Sequence, residues 1–394
     1  MAAVVAGCSG DPIAPGGSDP LVRSDTVEAR ALWVSRFEYS NAASIAAIMT
    51  DAQLANFNIV YFQVRGVADA LYASALEPCS TRLCSRLGGT PTWDPLATAV
   101  TEAHARGIQL HAWINAFTGW SPTASQCGLL VESDPGKPRH VLLEHPEWRV
   151  VSDQGVTQSC PNSTESVWMS PGIPAVRTHL ARVAADITRR YAADGIHLDF
   201  IRYPGLGWSH DTTSLRAFGM DPATNAAAWD NFRRAQVNAA VQETHDSVVA
   251  ARSDAVLSAA VWGIYEDKWG WNSSRGYSQF FQDPRAWANA GTLDVANPMI
   301  YWRIRTAYCE YTDWSCLADD HLNGFKSSGR HVYLGMIADL GANEMIKAIQ
   351  LGREKKAQGF TIFSYGSAKA AGLFPLLRNG VFRLPARVPT MDWK

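Results

Sequence analysis

A histidine and an aspartate alternate with aliphatic residues in the stretch Ala193-Asp194-Gly195-Ile196-His197-Leu198-Asp199-Phe200-Ile201-Arg202-Tyr203-Pro204. In an extended chain Ile196, Leu198 and Phe200 fall on one side, and His197, Asp199 and Ile201 on the other. Parallel strands covered on both faces read instead as continuous apolar runs. Polar groups on a second face fit the inner wall of a closed barrel, near the C-terminal mouth where such barrels place their chemistry. An acid held there can trade a proton with a bond lying in the mouth, or attack it. Glycoside cleavage asks for two such carboxyl groups, one protonated and one ionised. Asp199 is the first candidate. The competing reading is structural: Asp199 caps the following turn or pairs with Arg202.

Strand ends nominate the second carboxyl, in the order Glu266, Glu38, Asp267 and Asp339. A separation of about 5–5.5 Å would mean a retaining enzyme and roughly 6.5–9.5 Å an inverting one. The same parity argument turns Arg65, His111, Trp113, Asn115, His197, Trp262, Tyr301 and Tyr365 inward, with Arg202 and Tyr203 just past the fourth strand. Trp33 and Trp302 add flat apolar surface. Hydrogen-bonding groups among aromatic faces suit a polyhydroxylated ligand. A lone inward histidine is as readily a satisfied core group as a catalyst. Convergence from several strands is the stronger signal, because packing alone does not ask for it.

The elements that would position these residues alternate along the chain. Strands are expected at 30–37, 58–65, 108–115, around 195–200, and at 255–263, 293–303, 331–337 and 359–366. Amphipathic helices separate them, one capped by Asp94 or Thr92 and another running to about Ala251. Eight strand–helix units are the count of an α/β fold of the (β/α)8 TIM-barrel type, here with long disulfide-pinned βα loops. No G-x-G-x-x-G follows any strand, which argues against an open dinucleotide-binding sheet. There is no H-E-x-x-H and no G-x-S-x-G, so neither a metal nor another cofactor is expected. Asp194 lies at the strand's entry end and reads as a turn residue.

The totals agree with a large buried core: 394 residues, 47% hydrophobic and 18% charged, with a formal net charge of −2 and no basic run to attract nucleic acid. Fifteen Trp exceed what this length needs, as expected where rings stack on sugars. Of seven Cys, local closure pairs Cys79 with Cys84, Cys127 with Cys160 and Cys309 with Cys316. Metal binding is the rival, but the spacings and the lack of nearby His partners do not suit zinc. Disulfides imply export. Cys8 ends Val5-Ala6-Gly7-Cys8, which resembles the lipobox of bacterial lipoprotein signals, although the charged front of such a signal is missing. Residues 1–29 therefore read as a signal remnant and flexible tether, and 30–394 as the barrel. The only membrane contact expected is a lipid on Cys8.

Seven segments, in order, resemble the bacterial glycosyl-hydrolase-like family 10 domain over most of Arg30 to Leu373: ARALWVSRFE, NIVYFQVRGVADALYAS, IQLHAWINAF, VWMSPGIPAVR, ADGIHLDFIRYP, ANPMIYWR and GFTIFSYGS. The resemblance implies a TIM-barrel glycosidase-like fold, often on exported or lipid-anchored proteins. Some members act on peptidoglycan strands lacking stem peptides. Asp199 matches the family's acidic strand-four residue, and Asn115, Arg202, Tyr203 and Tyr301 match recurrent rim residues. The chain departs in Phe200, where some members carry a second Asp, and in its six loop cysteines.

The expectation is thus an exported hydrolase of glycosidic bonds in a cell-wall or extracellular polysaccharide. Asp199 and Glu266 would be catalytic, and Glu38 and the inward residues would bind substrate. The alternatives are a non-catalytic carbohydrate-binding barrel and a cell-wall amide hydrolase.

Overall fold

Alternation along each strand decides which side chains fill the barrel and which meet the helices. The computed structural model describes residues 26–121, 127, 130–161, 164–305 and 309–394; Cys8 and the tether 9–25 lie outside the described residues. Among the described residues there are ten strands: β1 (Ala29–Val34), β2 (Ile59–Arg65), β3 (Gln109–Asn115), β4 (Thr118–Trp120), β5 (Val167–Trp168), β6 (Gly195–Asp199), β7 (Val256–Trp262), β8 (Val295–Met299), β9 (His331–Ile337) and β10 (Gly359–Phe363). Eight of them pair in parallel and close in the order β1-β10-β9-β8-β7-β6-β3-β2. With helices between successive strands, this is a (β/α)8 TIM barrel. β4 and β5 form a separate antiparallel pair.

The outward parity packs as expected. Leu32, Val34, Val60, Phe62, Leu110, Ile114, Ile196 and Leu198 share one buried cluster with the helices. Ala29, Ala31, Trp33, Ile59, Tyr61, Trp113, Ala260, Val295 and Tyr333 form a second cluster inside the barrel. Small residues here leave room for large neighbours. A Cβ on Gly195 would lie 2.4 Å from the Val256 carbonyl and 2.8 Å from His111 Nδ1. Only glycine lets the His111 ring lie across that level of the barrel.

Helix starts follow their caps. Asn41 and Ser44 form a capping box at Ala42–Leu54, and Asp94 caps Pro95–His104. The longest helix, Ala226–Ala251, packs on Pro174–Arg190, fastened by Arg177 to Glu243 at 2.9 Å. Asp194 is indeed tied at the strand's entry: its carboxylate accepts from the Leu110 N–H at 2.7 Å and meets His104 at 2.9 Å.

Three differences from the sequence reading stand out. The sixth and eighth barrel strands end earlier, at Met299 and Phe363. The single closing helix is two, Tyr365–Ala370 and Leu373–Asn379, separated at Gly372 with φ 62°. The tail plugs the barrel's N-terminal end, which periodicity did not indicate. Val388 and Met391 pack on the interior cluster. The Glu28 N–H donates to the Arg387 carbonyl at 2.9 Å, and Asp294 accepts from Trp393 at 2.7 Å. The open mouth is therefore the C-terminal one.

Three disulfides, Cys79–Cys84, Cys127–Cys160 and Cys309–Cys316, pin the loops in the expected pairing. Beneath the first of them Glu77 joins Arg65 at 2.7 Å and His179 at 2.9 Å, with Glu77 and Arg65 fully buried. Burial alone would raise the Glu77 pKa, but Arg65 and His179 outweigh it and hold the carboxyl far below the usual range. Removing one partner of such a pair leaves an uncompensated buried charge, which costs roughly 3–5 kcal/mol. Glu77→Gln should therefore lower unfolding stability by about that much in urea titration. A midpoint unchanged from the wild type would refute the assignment.

Candidate active site

β6 delivers Asp199 to the mouth because the chain must turn immediately after it. Phe200 adopts φ 50°, a region that side chains rarely occupy, and its N–H donates to Asp199 Oδ1 at 2.7 Å. Strained backbone of this kind collects at functional sites. The Asp199 carbonyl accepts from the Ala116 N–H at 2.7 Å, joining the turn to the end of β3. Asp199 lines a cleft of about 560 Å3, walled by Trp33, Trp113, Trp262, Tyr301, Trp302 and Phe363. That is the size of a small-molecule or sugar site.

Burial pushes the Asp199 pKa up to about 6, with Glu165 adding to the rise; the Phe200 N–H and Arg202 oppose it. Near pH 6 the group is half protonated. Tyr301 in the same wall is held well above its ordinary value by burial and by Asp199, so its phenol stays protonated.

Asn115 supports the floor. Its Oδ1 accepts from Gln63 Nε2 at 3.0 Å and from Trp113 Nε1 at 3.1 Å, and its Nδ2 donates to the Gly66 carbonyl at 3.1 Å. Arg202 is 8% exposed and caged by four rings, Trp168, Phe200, Trp262 and Phe280, at 4.6–5.4 Å. Cation–π contacts of this kind offset part of the cost of burying a guanidinium.

Of the sequence-nominated residues, Trp33, Trp113, Asn115, Asp199, Arg202, Trp262, Tyr301 and Trp302 line the cleft. The others lie elsewhere, for reasons that parity does not carry. His111 is four residues before Asn115 on β3, about 13 Å back along the strand from the mouth. It is buried, with both ring nitrogens unpartnered among the described residues, and burial lowers its pKa to about 4. His197 lies two residues below Asp199 and is sealed beneath Trp33 and Trp113. Its Nε2 accepts from Trp33 Nε1 at 2.9 Å, and its Nδ1 meets Ser258 Oγ at 2.8 Å. Arg65 follows a register shift after Gln63 and turns to Glu77 and to the carbonyls of Asn115 and Ala116.

Glu38 is a fastener rather than a rim group. Its carboxylate accepts from the Ser35 N–H, Ser364 Oγ and the Gly366 N–H, each at 2.5 Å, joining the end of β1 to the end of β10. Tyr365 falls after β10, in a helix, and donates to Asp51 at 2.9 Å. Tyr203 is fully buried, edge-on to Phe281 at 5.6 Å. Glu266 does not line the cleft: the chain bends away after Trp262, and its carboxylate accepts from Ser278 at 3.1 Å.

Among the cleft residues that sequence reasoning missed are Arg36, Phe37 and Glu165. Arg36 and Phe37 follow β1, inside what alternation reads as strand. Glu165 sits in the aperiodic excursion after β3, brought back over the mouth beside Cys160. Among the described residues, Asp199 and Glu165 are the acids lining this cleft.

Comparisons with known proteins agree with this architecture. Residues 28–342 match the family described as glycosyl hydrolase-like 10. Glycosyl hydrolase YngK of Bacillus subtilis is 27% identical over 370 residues, 88% of this chain and 68% of that protein. Glycosyl hydrolase DigH of Escherichia coli is 27% identical over 361 residues, covering 82% of this chain and 76% of that one. The glycoside hydrolase domain of PgaB (BpsB) from Bordetella bronchiseptica shares the fold, with TM-score 0.60 at 10% identity, covering 89% of this chain and 98% of that one. The catalytic domain of a Paenibacillus polymyxa β-amylase does so at TM-score 0.57 and 12% identity, over 87% and 93% of the two chains. With the match spanning the barrel from β1 to the residues after β9, the chain belongs to the glycosyl hydrolase-like 10 family.

Proposed function

We propose that this protein is an exported glycoside hydrolase that cleaves a polysaccharide, with Asp199 as the acid. One observation carries the reading: a strand-borne carboxyl, buried enough to hold a proton near pH 6, opens into an aromatic cleft at the barrel's C-terminal mouth. Protonation of a leaving-group oxygen needs such a group. Glu165 is the companion carboxylate in this proposal. It is 68% exposed and lies 3.9 Å from Arg202, so the two acids occupy a dry and a wet environment. That division is how two carboxyl groups in one site take opposite roles. Trp33, Trp113, Trp262 and Trp302 supply ring faces, and Asn115, Arg202 and Tyr301 supply hydrogen bonds to hydroxyls. The loop disulfides support export.

A non-catalytic carbohydrate-binding barrel is the second reading. It is favoured by one observation: Glu165 comes from an excursion rather than a barrel strand, so the pair is less rigid than two strand ends would make it.

Reducing-end release from a polysaccharide panel separates the readings. Asp199→Asn should reduce turnover by about a thousandfold or more, and Glu165→Gln by about a hundredfold or more, with retention on the polymer kept. Full activity in Asp199→Asn would remove the assignment, and retention without release by the wild type would leave the binding barrel.

The pH dependence has a definite sign. A working acid must be protonated, so kcat/KM should fall about tenfold per pH step above about 6. A profile still rising at pH 8 would exclude Asp199 as that acid.

Stability moves in the matching direction. The folded-state pKa is raised by burial, so ionisation disfavours the fold as pH climbs from the unfolded value towards 6. Asp199→Asn should therefore be more stable than wild type at pH 7.5, by on the order of 2 kcal/mol, and equal to it near pH 3.5. Denaturant midpoints at the two pH values test this; no difference at pH 7.5 would count against a buried carboxyl.

A further inference from the structure

We infer that Arg65 is a positioning residue for Asp199, acting on its carboxyl through two peptide groups joined in series. The inference rests on the glycosidase reading of the cleft, because the carboxyl it positions is the proposed acid.

Arg65 lies outside the cleft lining. Its guanidinium is fully buried at the end of β2, where a cation needs partners on every side. Glu77 takes one edge: Nε donates to Oε2 at 2.8 Å and Nη2 to Oε1 at 2.7 Å. Glu77 is buried as well, and it also meets His179 Nε2 at 2.9 Å. The remaining nitrogen, Nη1, donates to the carbonyls of Asn115 and Ala116, the second at 3.2 Å.

The Asn115 carbonyl shares one peptide group with the Ala116 N–H, and that N–H donates to the Asp199 carbonyl at 2.7 Å. The Asp199 carbonyl in turn shares a peptide group with the Phe200 N–H, which donates to Asp199 Oδ1 at 2.7 Å. A continuous line therefore runs from the guanidinium through two amides to the carboxyl. Each amide is planar, with its carbonyl and N–H pointing in opposite directions, so a grip on one end orients the other. A cation at the first carbonyl also polarises that amide and strengthens its N–H as a donor, and the effect passes to the second. A stronger donor at Oδ1 favours the ionised carboxyl, so the line opposes the effect of burial.

The charges acting on Asp199 directly are different groups. Arg202 and Glu165 bear on it, and Arg36 and Tyr301 respond to it in the same cleft. Arg65 and Glu77 cancel as a pair, so deleting both leaves that field in place and breaks only the line.

The test compares the full chain with Arg65→Met/Glu77→Met, which removes cation and anion together, a replacement that buried ion pairs often tolerate. The Asp199 carboxyl is titrated by carbon-13 NMR and assigned by the loss of its signal in Asp199→Asn. Its midpoint should rise by about half a pH unit or more in the double variant. On a polysaccharide that the wild type cuts, kcat should fall about tenfold with KM nearly unchanged. Arg65→Lys, which keeps a cation beside Glu77, should shift the midpoint less in the same direction, and it serves if the double variant does not fold. A midpoint that stays or falls in the folded variants overturns the inference even where kcat drops, since lost support alone would do that. If the wild type releases no reducing ends while the midpoint still rises, the glycosidase reading falls and the link from Arg65 to Asp199 stands.

Discussion

The cleft floor depends on a hydrogen-bonded chain that crosses the barrel one level below it. The Trp33 indole N–H can only donate, so the His197 Nε2 it reaches at 2.9 Å must carry a lone pair. The proton of a neutral ring then belongs on Nδ1, which donates to Ser258 Oγ at 2.8 Å; the Ser258 hydroxyl in turn points at the Ile196 carbonyl at 3.4 Å. Each partner has one role, and the chain fails if the imidazole is charged. Burial, helped by His111, keeps the His197 pKa well below its ordinary value and so protects that arrangement. Tyr61 stacks on the same ring at 3.9 Å, and its hydroxyl donates to Asn297 at 3.0 Å. A polar layer thus holds Trp33 rigid from beneath, and Trp33 is a wall of the site above.

Burial accounts for the properties of Asp199 in the same way. The carboxyl is desolvated by the aromatic walls, while the N–H of the residue after it partly restores what water would give. That N–H is available only because Phe200 accepts a left-handed backbone. A β-strand that continued past position 199 would aim the amide elsewhere. The acid's proton affinity and the backbone turn are one structural decision, supported by the tertiary contacts that close the turn against Ala116.

How much of this was legible in the sequence depended on the kind of information. Strict alternation in GIHLD placed Asp199 and His197 on the inner face, because period two survives folding unaltered. Cap residues such as Asp94 and the local cysteine spacing were equally direct. Depth was not. Parity says that His111, His197 and Asn115 point inward but not that only the last reaches the mouth, since that depends on where each strand enters the barrel. Arg65 was misplaced by the register shift after Gln63, for which the run NIVYFQVR carries no mark. Glu266 and Glu38 were nominated by proximity to strand ends and Tyr365 by parity carried past the end of β10, and the turns that carry them off are tertiary. Glu165 was invisible for the opposite reason: an aperiodic excursion brings it to the site through a loop closed by Cys127–Cys160.

The charges of the cleft are coupled, and the coupling has a direction. Arg202 lowers the Asp199 pKa while Glu165 raises it, and Asp199 in turn helps keep both Arg202 and Arg36 charged against the burial that opposes them. An anionic group seated against Arg202 would offset its pull on Asp199 and add its own field. The acid would then hold its proton to higher pH with ligand bound than without it. Binding and proton retention would reinforce each other, as linkage requires of any two equilibria that share a charge. A neutral ligand would displace water and desolvate the carboxyl, yet leave the guanidinium's pull intact. Arg202 therefore bears on the proton that Asp199 holds.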